Sequence, residues 1–315
     1  MTEATAARPV REYKRPFLTP WRREALTGYA FAMPWIFGFL TLTLGPMLFS
    51  LYASFTSYNI TTPPHWIGLG NYSFIFLQDP RFRISLYNTV YYVIVKTPVV
   101  IVVSLGLAML LNMNLPGQRI FRTIYYLPTV ITGVAAIFLW VWILNPEGLL
   151  NRALGLFGIR GPNWFYDPAW AKGGLVVMGL WYIGGPILIF LAGLNGIPSH
   201  LYEAAEIDGA GTWAKFWNVT IPLLSPTIFY LVVTNIIGAF QVFNSAYVVS
   251  QTAGSNPGDP AQSLLFYEVY LFIRAFKGSM EMGFACALAW ILFVIILIVT
   301  GIQLWLSSRW VYYES

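Results

Sequence analysis

The sequence predicts an all-α membrane protein with six transmembrane helices. Of its 315 residues, 57% are hydrophobic and only 10% are charged, a composition typical of membrane proteins. Six apolar runs approach or exceed the roughly 20 residues that a helix needs to cross a bilayer. They cover residues 29–51, 89–111, 123–144, 174–194, 224–249 and 284–306.

The ends of the chain and its basic residues predict the orientation of these helices. Residues 1–28 form a basic tail, and the first apolar run is too long for the core of a secretory signal. We expect it to remain as a span, kinked at Pro34 and Pro46. Six spans return residues 307–315 to the side of the tail. Segments on that side carry ten Lys and Arg residues against seven in the opposite loops, which predicts that both termini are cytoplasmic.

A polar segment, residues 196–223, separates the fourth and fifth spans on the predicted cytoplasmic side. Ser199 is expected to cap a short helix, which Gly209 and Gly211 then end. A second helical piece is expected to follow and to stop at Pro222. Acidic residues of this segment would be repelled by an anionic leaflet, which favours a protein partner over lipid. An ordinary solvated linker helix is the alternative.

The three loops on the opposite side are residues 52–88, 145–173 and 250–283. They are rich in Pro, Gly, Asn and aromatic residues. None is long enough to form a separate domain, so a macromolecule that binds there would bring its own fold.

The sequence contains no catalytic constellation. It lacks the Gly-x-x-x-x-Gly-Lys-Ser/Thr pattern of a phosphate-binding loop, so we do not expect the chain to hydrolyse ATP. His65 and His200 fall in opposite loops and cannot form one metal site, and Cys286 lies in an apolar run as a small buried side chain. The basic residues mark membrane orientation rather than nucleic-acid binding.

Ionisable residues are almost absent from the predicted spans. None of the thirteen acids lies well inside a span, which argues against a proton-coupled carrier. Lys96 is the sole intramembrane charge. Its side chain either extends outward to the membrane surface or faces a cavity, where it would meet a polar or anionic substrate.

The fifth predicted span is the most polar. Thr234, Gln241 and Ser245 fall on one face of a continuous helix. They would contact a hydroxylated substrate, or bond to neighbouring helices where Gly238 allows close packing. Nearby aromatic residues belong either to an interfacial belt or to a surface that stacks on sugar rings. The candidates for the substrate path are Lys96, Trp181, Tyr182, Asn235, Gln241, Asn244 and Tyr247.

The polar segment also carries a family resemblance. Glu203-Ala204-Ala205, Gly209 and a closing Ile-Pro-Leu resemble the coupling loop of binding-protein-dependent ABC importer permeases, with the last Pro and Leu in swapped order. Further similarity to first permeases of the maltose and glycerol-phosphate type lies in residues 46–56, 68–72, 88–89, 121–128 and 310–314.

This resemblance implies a type I ABC importer permease fold for residues 29–306, in a bacterial or archaeal plasma (inner) membrane. It implies a permease subunit for sugars or oligosaccharides that works with a second permease, two ATP-binding subunits and an extracytoplasmic solute-binding protein. ATP and Mg would bind to the partner ATPases and no cofactor to this chain. Residues 203–222 would couple to the ATPases. Glu203 would make a polar contact, and the small side chains of Ala204 and Ala205 would allow close docking. Gly209 would form the turn, and Asp208 belongs to the same set of coupling residues.

Two alternatives remain open. The family usually has Phe-Asp and then Thr-x-Gly-Gly-Pro after the fifth span, whereas this chain has Phe243-Asn244 and a different sequence at 253–258. This departure leaves the identity of the cargo open. The first alternative is an anionic sugar derivative, such as a glycerol phosphate or a uronide, which Lys96, Arg274 or Arg152 would support if one of them faces the cavity. An ion-coupled secondary carrier is the other alternative.

Overall fold

The protein is almost entirely helical. The structure, a computed structural model, describes residues 19–113, 117–130, 133–254, 256–278 and 280–312. Within these ranges the only β-structure is a pair of isolated bridges. The chain divides into two compact units, residues 1–52 and 53–315.

The described part of the first unit is one long apolar helix that continues a few residues beyond the boundary. Helix α1 (Pro20–Gly38) starts inside the predicted tail, passes through a π turn (Phe39–Leu44) and continues as α2 (Gly45–Ser54). The N–H of Gly45 donates to the carbonyl of Leu40, five residues back. This wider turn lies directly before Pro46, whose missing N–H and bulky ring a regular turn accommodates poorly.

The second unit contains thirteen further α-helices among its described residues. They are α3 (Gly70–Leu77), α4 (Pro80–Asn112), α5 (Gln118–Val130), α6 (Val134–Ile143), α7 (Leu149–Leu156), α8 (Pro168–Gly179), α9 (Gly184–Asn195), α10 (Ser199–Ile207), α11 (Thr212–Lys215), α12 (Ile221–Phe240), α13 (Asn244–Ala253), α14 (Tyr267–Phe276) and α15 (Met282–Trp310). A 3-10 turn (Leu180–Tyr182) and a π turn (Phe216–Thr220) complete them.

Four helical segments among the described residues are long and apolar enough to cross a membrane, and a bent pair adds a fifth. The four are Trp21–Ser54, Pro80–Asn112, Thr212–Phe240 and Met282–Trp310. The pair Pro168–Tyr182 and Gly184–Asn195 bends by 53°. The predicted third span is divided between α5 and α6, and residues 131–132 between them lie outside the described ranges. The exact number of six spans stays a prediction.

Helix α4 is the central element and contacts α5, α8, α9, α12 and α14. One apolar cluster fills the space between α4, α9 and α12, where Phe190 and Leu224 are fully buried. A second cluster surrounds the other half of α4 and includes Ile75 of α3 and Tyr267 of α14. Segments that the sequence predicts as loops therefore contribute helices to the core.

A buried polar network joins the start of α4 to the segment before α14. The amide of Asn88 donates to the carbonyls of Gln262 (2.8 Å) and Leu265 (3.1 Å) and accepts from Lys172 (3.0 Å). The neighbouring hydroxyl of Thr89 accepts the N–H of Tyr267 at 2.9 Å. Because these buried groups are paired, the Asn-Thr dipeptide fixes this segment against α4.

Helix α15 begins at a close backbone approach that requires glycine. The N–H of Gly283 donates to the carbonyl of Tyr58 at 2.8 Å. A Cβ at this position would lie 3.0 Å from the carbonyl oxygen of Ala53 and 3.0 Å from the N of Tyr58. Both are backbone atoms, so they cannot move aside by a change of rotamer.

We therefore predict that Gly283→Ala destabilises the protein by about 1–3 kcal/mol through overpacking. The midpoint of thermal unfolding of the purified complex in detergent should fall by at least about 2 °C. Gly301→Ala is the matched control in the same helix, because a Cβ there meets nothing within 4 Å. Equal unfolding midpoints for both variants would contradict the prediction.

Candidate functional site

The polar segment 196–223, which we call the coupling loop after the element that it resembles, forms a helix, a tight turn and a second helix. The structure corrects the predicted cap: Pro198 is the N-cap residue of α10, and Ser199 is its first helical residue. Gly209 ends the turn with φ 81°, and its N–H donates to the carbonyl of Glu206 at 3.0 Å. Gly211 has φ −70° and lies before α11, so only Gly209 uses the left-handed conformation.

The prediction that Pro222 ends the second helical piece is wrong. The π turn Phe216–Thr220 widens the helix there, and the N–H of Ile221 donates to the carbonyl of Phe216. This wider turn avoids the collision between a proline ring and the carbonyl four residues earlier. The helix therefore runs without a break over Thr212–Phe240, 29 residues.

Side-chain contacts hold the two arms of the coupling loop together. The hydroxyls of Tyr202 and Thr220 are hydrogen-bonded at 3.0 Å, and Lys215 forms an ion pair with Glu206. Beneath them lies a cavity of about 270 Å³, which is also lined by Asn112 at the end of α4. The two arms are thus joined to each other, and the cavity beneath them borders the end of α4.

Helices α9 and α12, which flank the coupling loop, approach each other at Gly193. A Cβ on this residue would lie 2.9 Å from both Leu224 Cδ2 and Thr227 Oγ1. The absence of a side chain therefore lets α12 pack directly on the backbone of α9.

The tip of the coupling loop is exposed. Glu203, Ala204, Asp208 and Gly209 face solvent, and Ala205 is half-buried. Sequence analysis missed Ile207, whose side chain is 87% exposed on the same helix. Its spacing of four from Glu203 was the available signal, because residues four apart share a helix face. An exposed apolar side chain beside exposed acids suits a docking surface for another protein.

A second site lies where α12 gives way to α13. Residues 241–243 are not helical, so the predicted continuous span over 224–249 is wrong. The break faces a cavity of about 320 Å³, which we call the Lys96 cavity. It is lined by Tyr92, Lys96, Gly133, Ile137, Leu175, Met178, Gly179, Tyr182, Gln241, Val242, Phe243, Asn244 and Ser245.

Four of the seven substrate-path candidates line this cavity: Lys96, Tyr182, Gln241 and Asn244. The other three lie elsewhere. Trp181 packs edge-on against Trp140 at 5.6 Å. Asn235 donates to the carbonyl of Leu231 within its own helix at 2.9 Å. Tyr247 stacks on Phe243 at 5.4 Å and lies below Lys277.

The predicted polar face of the fifth span is not formed. Thr234 bonds back to the carbonyl of Tyr230 at 2.9 Å, one turn earlier, while the helix ends before Gln241. A Cβ on Gly238 would meet nothing within 4 Å, so this glycine provides no close helix contact within the chain. Only the residues at and after the break reach the Lys96 cavity.

Lys96 lies at the middle of α4, sixteen residues from each end. Its ammonium is 5.3 Å from the ring centroid of Tyr92, and its stem passes beside the bare backbone of Gly179 on α8. The sequence left two positions open for the Lys96 side chain, the membrane surface and a cavity. In the structure, this side chain lines the cavity. Among the described residues, no three His, Cys, Asp or Glu side chains gather to hold a metal ion.

Comparisons with known proteins agree with this architecture. Residues 83–312 match the family model "Binding-protein-dependent transport system inner membrane component". The chain is 41% identical to the probable ABC transporter permease protein YesP of Bacillus subtilis (strain 168), over 93% of this chain and 94% of that protein. It is 34% identical to the arabinooligosaccharides transport system permease protein AraP of the same organism, over 89% and 88%.

A solved structure has a similar fold. It is a chain of a bacterial alginate ABC transporter in complex with an alginate pentasaccharide-bound periplasmic protein. The TM-score is 0.78 at 23% identity, covering 91% of this chain and 96% of that chain.

The hydrogen bond between Tyr202 and Thr220 yields a prediction about the coupling loop. Tyr202→Phe removes a bond worth about 0.5–1.5 kcal/mol, so amide hydrogen exchange in α10 should accelerate roughly 2- to 10-fold. The rate of hydrogen exchange in α10 is measured by mass spectrometry on peptides that cover residues 199–207. Tyr230→Phe, at an exposed tyrosine of α12, is the control. Unchanged exchange in α10 would show that this bond does not hold the loop.

Proposed function

The chain belongs to the family of binding-protein-dependent transport system inner membrane components, and from this premise we propose that it imports sugars or oligosaccharides. It is a permease subunit of an ABC transporter and a multi-pass protein of the inner membrane, not an enzyme. The observation that carries the proposal is the family match over residues 83–312, which contains both the coupling loop and the Lys96 cavity.

An oligosaccharide is the cargo that the relatives support best. AraP is named for arabinooligosaccharides, and its alignment covers most of both chains. The Lys96 cavity offers amide and hydroxyl groups from Gln241, Asn244, Ser245 and Tyr182, which suit a hydroxylated ligand. This cargo is favoured over a glycerol phosphate, and import powered by ATP is favoured over an ion-coupled carrier.

The proposed assembly contains five protein subunits. They are this permease, a second permease, two ATP-binding subunits and a solute-binding protein. ATP and Mg bind to the ATPases. The coupling loop docks on one of them through Glu203, the small Ala204 and Ala205, Asp208 and the turn at Gly209. Both termini and this loop lie in the cytoplasm, and the solute-binding protein docks on the opposite side.

The proposed mechanism transmits motion along one helix. Closure of the ATPases around ATP displaces the coupling loop, and the unbroken helix Thr212–Phe240 carries this displacement to the break at residues 241–243. Rocking of the helices then opens the Lys96 cavity to one side of the membrane at a time. The cargo is released because its contacts at the break change.

The turn at Gly209 provides the first test. Gly209→Ala places a side chain in a left-handed conformation that costs about 1–2 kcal/mol, so ATP-dependent uptake of labelled oligosaccharides by vesicles with the whole complex should fall roughly 5- to 30-fold. Gly211→Ala is the matched control, because Gly211 has φ −70° and a Cβ there meets nothing within 4 Å. Uptake that needs neither ATP nor the binding protein would overturn the proposed function.

The exposed carboxylate of Glu203 provides the second test. Glu203→Lys reverses the charge at the docking tip, so we expect ATP-dependent uptake to be lost while the binding protein keeps its affinity for sugar. Uptake and sugar binding are measured separately on the same preparations. Glu24→Lys makes the same exchange at an exposed acid at the start of α1 and should leave uptake unchanged. Normal uptake with Glu203→Lys would exclude the coupling role.

A further inference from the structure

Among the described residues, none that lines the Lys96 cavity supplies a counter-ion to Lys96. Lys96 is the only ionisable group apart from two tyrosines among its lining residues, and the other polar members are Gln241, Asn244 and Ser245. The ion pairs formed by the described residues are Lys215–Glu206 and Arg274–Glu281, and neither involves the cavity. The contact between the ammonium and the Tyr92 ring, 5.3 Å from its centroid, is a weak substitute for a carboxylate.

An unpaired cation in a membrane helix is costly, and such residues usually mark a substrate or ion path. Here the side chain lies along the cavity wall rather than toward lipid, because its stem passes Gly179 of the neighbouring helix. No carboxylate lines the described part of the cavity. The presence of this charge is explained if an anion enters the cavity during transport.

The composition of the cavity selects the kind of anion. One lysine balances one negative charge, as a carboxylate carries, whereas a phosphate monoester carries nearly two and usually attracts several cations or an Arg fork. The neighbouring amides and hydroxyls suit the hydroxyl groups of a sugar ring. A volume of about 320 Å³ lies within the roughly 300–1,000 Å³ typical of small-ligand sites.

We propose that Lys96 binds the carboxylate of a uronic acid residue during translocation, so that the permease selects acidic over neutral oligosaccharides. This inference rests on the proposed sugar-import function and adds a substrate class to it. In the site, the ammonium of Lys96 donates to the carboxylate, while Gln241 and Asn244 at the helix break bond to ring hydroxyls. Motion of the break relative to α4 would then separate the two sets of contacts and release the sugar.

The test compares matched pairs of sugars in vesicles that contain the whole complex with its binding protein. The probes are disaccharides of galacturonate, glucuronate, mannuronate and guluronate, each paired with its carboxyl-reduced neutral counterpart. We expect the native complex to import at least one acidic member faster than its neutral partner. Lys96→Gln should lower import of that acidic member roughly 10- to 100-fold, which corresponds to the loss of a charged hydrogen bond, and should leave neutral import within about twofold.

Two further variants separate charge from folding. Lys96→Arg keeps the charge and should retain the preference for the acidic sugar. Arg160→Gln removes an exposed basic residue that does not line the cavity, and it should leave the ratio of acidic to neutral import unchanged. Assembly of each variant is checked by co-purification of the subunits and by their basal ATPase activity.

The outcomes distinguish this inference from the proposed function. If the native complex imports neutral members as fast as acidic ones, or if Lys96→Gln lowers both equally in an assembled complex, the role of Lys96 is excluded while sugar import stands. If no sugar, acidic or neutral, enters in an ATP-dependent manner, the proposed function fails and this inference fails with it. Efficient import of a sugar phosphate that depends on Lys96, without import of a uronide, would also overturn it.

Discussion

The arrangement depends on the continuity of the helix Thr212–Phe240, which contains Pro222 near the start of α12 and Pro226 inside it. A proline within a regular α-helix loses one backbone hydrogen bond, and its ring collides with the carbonyl four residues earlier. The π turn Phe216–Thr220 removes this conflict before Pro222, so the helix that starts in the coupling loop continues into the membrane. At about 1.5 Å per residue, its 29 residues span roughly 43 Å. A break at the proline would instead leave the coupling loop on a hinge.

The break at the other end of this helix and the Lys96 cavity explain each other. Inside a bilayer, irregular backbone is tolerated only where protein covers it or where it lines a cavity. Residues 241–243 satisfy this condition because they form part of the cavity wall. The break also turns Gln241 and Asn244 toward the space that Lys96 faces from α4, a juxtaposition that a continuous helix would not produce.

Sequence analysis predicted the features that depend on local chemistry. The turn at Gly209 follows from the conformational freedom of glycine, and the apolar helices follow from composition and length. Sequence analysis failed for features that depend on contacts with neighbouring helices. Neither the continuity through Pro222 nor the end of the helix at Phe240 has a local signal, because proline and a run of apolar residues are compatible with both outcomes. Likewise, the direction of Lys96 depends on the bare backbone of Gly179 on another helix, which the sequence around Lys96 does not reveal.

The distribution of charge separates the input of energy from the recognition of cargo. An ion-coupled carrier needs a titratable acid in its transport path, whereas the residues that line the Lys96 cavity include no acid. Exposed acids are found instead outside the cavity, among them Glu203 and Asp208 at the tip of the coupling loop. The helix Thr212–Phe240 connects the two places, and the residues that line the cavity are separate from those exposed on the loop. Substitutions in the cavity can therefore be made without altering the exposed surface of the loop.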